Sequence, residues 1–249
     1  MSAQLDSTTT YVRMGEAHLD AVVASRPVWL GRVDGHASVA NTAALKVAGV
    51  MDETKDPDGG RIERDSAGNP TGLFIDAAEM LVAGKIPPAS ITDQDRALAK
   101  AQDLALASGL TGVADMGTSV SDWAAMRRFG QAGALKLRIM AYAAGIEAMP
   151  DEPTPWFHGD RLRMGGVKIY GDGALGSRGA WLKAPYADQP GARGLRFLTD
   201  AELRSQADAV ASRGLQPAIH AIGDAAVAQA IGAFEGLAKS HQGDRRWRI

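Results

Sequence analysis

From residue 92 onward, runs with helical spacing alternate with short apolar runs, and this restricts the fold more than any other feature of the sequence. Helical spacing covers residues 92–109, 121–132, 200–213 and 224–237. Strand-like runs cover 110–115 and 135–143, then one segment carrying Lys168 and another carrying His220. Strands separated by helices of that length imply parallel βα units. Upstream, residues 27–33 read as a strand. Residues 41–50 read as a helix with Asn41 as N-cap and Gly49 near its end. Residues 56–75 are dense in turn formers and contain two short alternating runs, which predicts a β-hairpin. The expectation is an α/β fold: an incomplete TIM (β/α)8 barrel, one partial barrel domain over residues 1–249 with the hairpin of residues 56–75 inserted. Arg245-Arg246-Trp247-Arg248-Ile249 reads as the opening of a further buried strand, so the chain is expected to be a truncated piece of a longer barrel.

Composition narrows the chemistry. There is no cysteine, so a metal here would have to be held by nitrogen and oxygen ligands. The formal net charge of −2 gives no electrostatic reason to invoke nucleic acid or a membrane surface. No run of apolar residues is long enough to span a bilayer. The polar start, Met1 to Thr10, has neither the basic nor the apolar region of a secretion signal, so a cytoplasmic protein is expected.

Two segments carry the chemistry: Gly166-Val167-Lys168-Ile169-Tyr170-Gly171-Asp172-Gly173 and Ala218-Ile219-His220-Ala221-Ile222-Gly223-Asp224. Each is a short apolar run that delivers one metal-capable side chain near its end and then breaks at glycine. In a barrel, that end of a strand is where active sites are built. A histidine there is either a satisfied core residue or a metal ligand. A lysine there is a rim residue, one half of an ion pair with Asp172, or an amine that has reacted with carbon dioxide to give a carbamate. Matching depth on consecutive βα strands favours the metal reading of Lys168 and His220, with Asp115 and Asp172 as candidate general bases. Asp224 is read as able to cap the helix that follows His220. The loop 171–179 suits positioning of a substrate, with Arg178 able to fork onto a carbonyl or carboxylate. Its glycines also allow a phosphate cradle, although the spacing fits no phosphate-loop pattern. Asp34 and His36 either line a substrate pocket or form a turn.

The combination of Arg32-Val33-Asp34-Gly35-His36-Ala37 with Asn41, Gly59-Gly60-Arg61-Ile62 through Pro70-Thr71-Gly72, Val167-Lys168 with Asp172-Gly173-Ala174-Leu175-Gly176-Ser177-Arg178, and Ala218-Ile219-His220-Ala221-Ile222-Gly223-Asp224 resembles the YtcJ-like amidohydrolases of the amidohydrolase-3 family, which include N-substituted formamide deformylases. The resemblance implies a barrel hydrolase that uses one or two divalent ions, commonly zinc, on carbon–nitrogen bonds other than peptide bonds. It implies a small-molecule amide-like substrate, and it makes Lys168 the carboxylated lysine and His220 a histidine ligand. The family's His-x-His pair has no counterpart in this sequence. A non-catalytic binding or oligomerisation module is therefore the alternative, and a homo-oligomer stays open.

Overall fold

A computed structural model describes residues 15–249. The polar start of the chain, read above for a leader, lies outside these residues. The chain divides into two compact units, Met1–Pro87 and Pro88–Ile249.

The first unit contains α1 (Glu16–Asp20), β1 (Trp29–Gly31), β2 (Ala37–Ala40), α2 (Thr42–Ala48), β3 (Gly60–Arg64), β4 (Pro70–Asp76) and α3 (Met80–Ala83). Its strands form one antiparallel sheet in the order β1-β2-β4-β3. Strand periodicity places Ala40, Phe74 and Ile62 on one face, and there they join Leu45 of α2 and Val82 of α3 in an apolar cluster. Asn41 begins α2 as its spacing predicts, and its reach is wider than a cap. Its Oδ1 accepts from the N–H groups of Ala44 and Val28, while its Nδ2 donates to the carbonyls of Val23 and Arg26. The side chain is completely buried. Gly49 ends the helix with φ 70°, a left-handed conformation that glycine reaches without a Cβ clash.

The second unit contains α4 (Ile91–Ala107), β5 (Gly112–Thr118), α5 (Val120–Gln131), β6 (Arg138–Ala144), β7 (Leu162–Tyr170), α6 (Asp200–Ser212), β8 (Gln216–His220) and α7 (Asp224–Leu237). The strands pair in parallel and in chain order, β5-β6-β7-β8. Ile139 packs in a cluster with Met126 of α5, while Ala141 and Ala143 pack with Leu203 of α6 and Ala230 of α7. These residues alternate along β6, so both helix layers cover the same face of the sheet. Sequential parallel order with helices on one face is the arrangement of a barrel arc. At the far edge, Ala218 bridges in parallel to Arg248, so the run read as a nascent strand does begin to pair. No described helix is long and apolar enough to cross a membrane.

Three helix starts differ from their sequence reading. Ser90 caps α4 and Ser119 caps α5, each two residues ahead of the helical run read from the sequence. In both, the hydroxyl accepts the N–H of the aspartate three residues on, and that spacing marks the cap. At α7 the N-cap is Gly223, and the Asp224 carboxylate instead accepts the N–H of Lys183.

Replacing Asn41 by alanine removes four hydrogen bonds made by a buried side chain and should cost about 3 kcal/mol. Amide hydrogen exchange checks this: Val28 and Ala44 should lose protection, while the amides of β6 and β7 keep theirs.

Candidate active site

Lys168 and Tyr170 lie on β7 and His220 is the last residue of β8. The register pairs Lys168 with Ala218 and Tyr170 with His220. Directly paired residues of parallel strands share a face, so Lys168, Tyr170 and His220 project from the same side. Val167, Ile169 and Ile219 point to the other side and pack beneath α6 and α7. The helix-free face therefore carries the amine and the imidazole at the C-terminal ends of two neighbouring strands. Tyr170, not singled out from the sequence, touches both. Lys168 Nζ stands 5.1 Å from the centre of its ring, and the His220 ring centroid is 5.5 Å away.

One layer deeper on this face, the Tyr142 hydroxyl donates to Gln216 Oε1 at 2.8 Å, and Arg248 donates to the same oxygen. No carboxylate lies within ion-pair distance of Lys168 Nζ among the described residues. Burial pulls its ammonium below the usual lysine range. This enriches the neutral amine, which is the form that reacts with carbon dioxide.

Asp172 follows β7 and is fully buried. Its Oδ1 accepts the N–H of Ile222, and its Oδ2 accepts the N–H groups of Trp181 and Gly223. Its Oδ1 also lies 3.8 Å from His220 Nε2. Both oxygens are thus committed to backbone donors, and the carboxylate clamps the loop after β7 onto the turn between β8 and α7. The approach is so close that a Cβ on Gly223 would sit 1.8 Å from the Trp181 carbonyl oxygen.

The remaining residues named from the sequence have partners of their own. Asp115 pairs with Ala141, on the helix-covered face, and accepts a 2.5 Å hydrogen bond from Thr118. Arg178 forks onto Asp188 through Nε and Nη2. In the first unit, Asp34 accepts from Arg32 Nε and from the His36 N–H, which is the turn geometry weighed above. His36 Nδ1 lies 2.6 Å from Asp76, a partner the sequence reading did not name.

Among the described residues, no group of three or more His, Cys, Asp or Glu is arranged to hold a metal ion. Lys168, as a carbamate, and His220 would supply two donors where a catalytic zinc uses three protein ligands, so they fit as part of such a site.

Two outcomes separate structural from chemical roles. Replacing Asp172 by alanine strands three N–H donors, one buried and two part-buried, and should cost about 3–5 kcal/mol. Exchange at the amides of Trp181, Ile222 and Gly223 should rise together. Unchanged exchange at all three amides would rule the clamp out. For Lys168, the folded pKa lies below the unfolded value. The fold is therefore penalised at every pH below the folded pKa, and it regains stability as pH rises from that value toward the unfolded one. Lys168→Met should raise stability near neutral pH by about 0.5–1 kcal/mol, a gain limited by solvent at this half-open position. Denaturant melts across alkaline pH should show the parent chain closing that gap.

The chain is 35% identical to LONG AFTER FAR-RED 3 of Arabidopsis thaliana over 93% of its own length and 42% of that protein. It is 34% identical to the Bacillus subtilis (strain 168) protein designated amidohydrolase YtcJ, over 87% of this chain and 42% of that one. It is 30% identical to the N-substituted formamide deformylase of Arthrobacter pascens, over 93% and 45%. An uncharacterised metal-dependent hydrolase from Pyrococcus horikoshii superposes with a TM-score of 0.66 at 28% identity, covering 90% of this chain and 44% of that one. The chain thus spans less than half the length of each of these proteins. The family model for the amidohydrolase family matches residues 6–249, and on that match the chain belongs to the amidohydrolase family.

Proposed function

We propose that this chain contributes part of the active site of a metal-dependent hydrolase acting on carbon–nitrogen bonds other than peptide bonds in a small amide-like molecule. The observation that carries the reading is the placement of Lys168 and His220 on the helix-free face, at the C-terminal ends of neighbouring parallel strands. In this reading the parallel sheet is an arc of a (β/α)8 barrel. A relative named as an N-substituted formamide deformylase supports the bond class.

A divalent ion, zinc in the simplest case and one or two in number, supplies Lewis acidity toward a carbonyl and acidifies water. The chain's own residues do the rest. The Lys168 amine, kept partly neutral by burial, forms a bond to the carbon of carbon dioxide and releases its proton to solvent. The buried positive charge becomes an anionic oxygen donor. His220 offers a ring nitrogen beside it. Tyr170 shields one flank of both groups, and Asp172 holds the surrounding loops in place through backbone N–H groups rather than by moving protons.

The small donor set favours a second reading, in which the chain is a binding module without turnover. Zinc content decides between them. After incubation with zinc and bicarbonate, the chain should retain the ion in stoichiometric amount, and Lys168→Ala and His220→Ala should each weaken retention about 100-fold. Hydrolysis of an N-substituted formamide should be lost in parallel. No retained zinc in the parent chain supports the binding module.

A further inference from the structure

The helix-free face of the parallel sheet is built in cross-strand rows, and the row beneath the candidate site is tied together by side chains. Register stacks these rows along the strands. Tyr142, Gly166 and Gln216 form the lower row, Ala144, Lys168 and Ala218 the middle one, and Tyr170 and His220 the upper one. Arg248 joins the middle row through its bridge to Ala218. Within that row Lys168 is flanked on either side by alanine, which has no polar group to hold an amine in place. Side-chain support on this face therefore comes from the rows above and below.

The lower row is continuous. Tyr142 is fully buried, and its ring lies across β7 where Gly166 leaves room for it. A Cβ on Gly166 would sit 2.4 Å from Tyr142 Cδ1 and Cε1. Beyond β7 the Tyr142 hydroxyl donates to Gln216 Oε1 at 2.8 Å. Arg248 Nη2 donates to the same oxygen at 3.1 Å, and the Arg248 guanidinium carbon lies 5.1 Å from the centre of the Tyr142 ring. A run of side chains thus leads from β6 over β7 to β8, and on to the residue that bridges to β8. Backbone ladder bonds join only neighbouring strands, so none of them spans that distance. Polar networks of this kind, shielded from water, fix the geometry of the elements they join.

We propose that Tyr142 is a positioning residue: through Gln216 Oε1 it straps β6 to β8 across Gly166, and so holds Lys168 and His220 at a fixed separation one and two rows above. The role rests on the hydrolase reading, in which those two side chains share a cation. Metal donors keep their place only when the groups around them are themselves held, and small misplacements are costly. Losing the Tyr142 hydroxyl leaves the ring over Gly166, the strand ladder and the apolar packing beneath the helices intact. The damage expected is therefore to the site rather than to the fold.

Tyr142→Phe, Gln216→Leu and the double variant test this, first without metal. In chains labelled with carbon-13 lysine and nitrogen-15 histidine, the NMR signals of the Lys168 side chain and the His220 ring should move in each single variant. His220 lies two rows above both changes, so its shift reports the strap rather than a lost contact. Lys168 and His220 signals that stay at their parent values overturn the proposal, even where a variant melts earlier. With zinc and bicarbonate added, each single variant should lower zinc retention about tenfold, and the double variant no further, because one strap is lost only once. Retention unchanged in both single variants, or a loss that multiplies to about 100-fold in the double variant, overturns it as well. A parent chain that retains no zinc removes the hydrolase reading, and the metal-free signals then decide the strap alone.

Discussion

The buried carboxylate of Asp172 organises the business end of the parallel sheet. It is fully buried, and three backbone N–H groups from two loops converge on it. Charge-assisted hydrogen bonds of this kind are strong where water is excluded. They fix the loop leaving β7 against the turn leaving β8. His220, the last residue of β8, therefore presents its ring from a braced rather than a free strand end. Catalytic constellations need that rigidity, since small misplacements are expensive in rate.

The two faces of the sheet divide the work. One is filled by Val167, Ile169 and Ile219 against helices, and supplies the apolar burial that stabilises the unit. The other carries Lys168, Tyr170 and His220, and costs stability through an ammonium with no carboxylate in ion-pair range among the described residues. The candidate site residues and the stabilising apolar packing thus sit on opposite sides of the same strands, two residues apart in sequence at most. The first unit repeats the pattern on a smaller scale, where an apolar face ends in the His36–Asp76 pair.

Much of the architecture was legible before any coordinates. The helical and strand runs from residue 92 onward occur in the order read, and the Asn41 start and Gly49 end of α2 lie where their residue types put them. Boundaries moved where a serine a few residues earlier offered a better cap, as at Ser90 and Ser119. The site residues were legible as types but less so as roles. Asp172 and Asp115 are both carboxylates at strand ends, yet one is consumed by backbone donors and the other pairs with Thr118 on the helix-covered side. Nothing local distinguishes such cases, because the donors come from residues up to about fifty positions away.

The sequence by itself determined the alternation of elements, the restriction of any metal to nitrogen and oxygen donors, and the presence of an amine and an imidazole at comparable positions on successive strands. These follow from periodicity and residue chemistry, which are local. Only the tertiary structure decided which side each residue faces, that Tyr170 lies against both Lys168 and His220, and that Asp76 meets His36. Those are matters of register and hydrogen-bond pairing. A strand's side chains change face with a shift of one residue, and a buried polar atom takes whichever partner the rest of the chain brings to it.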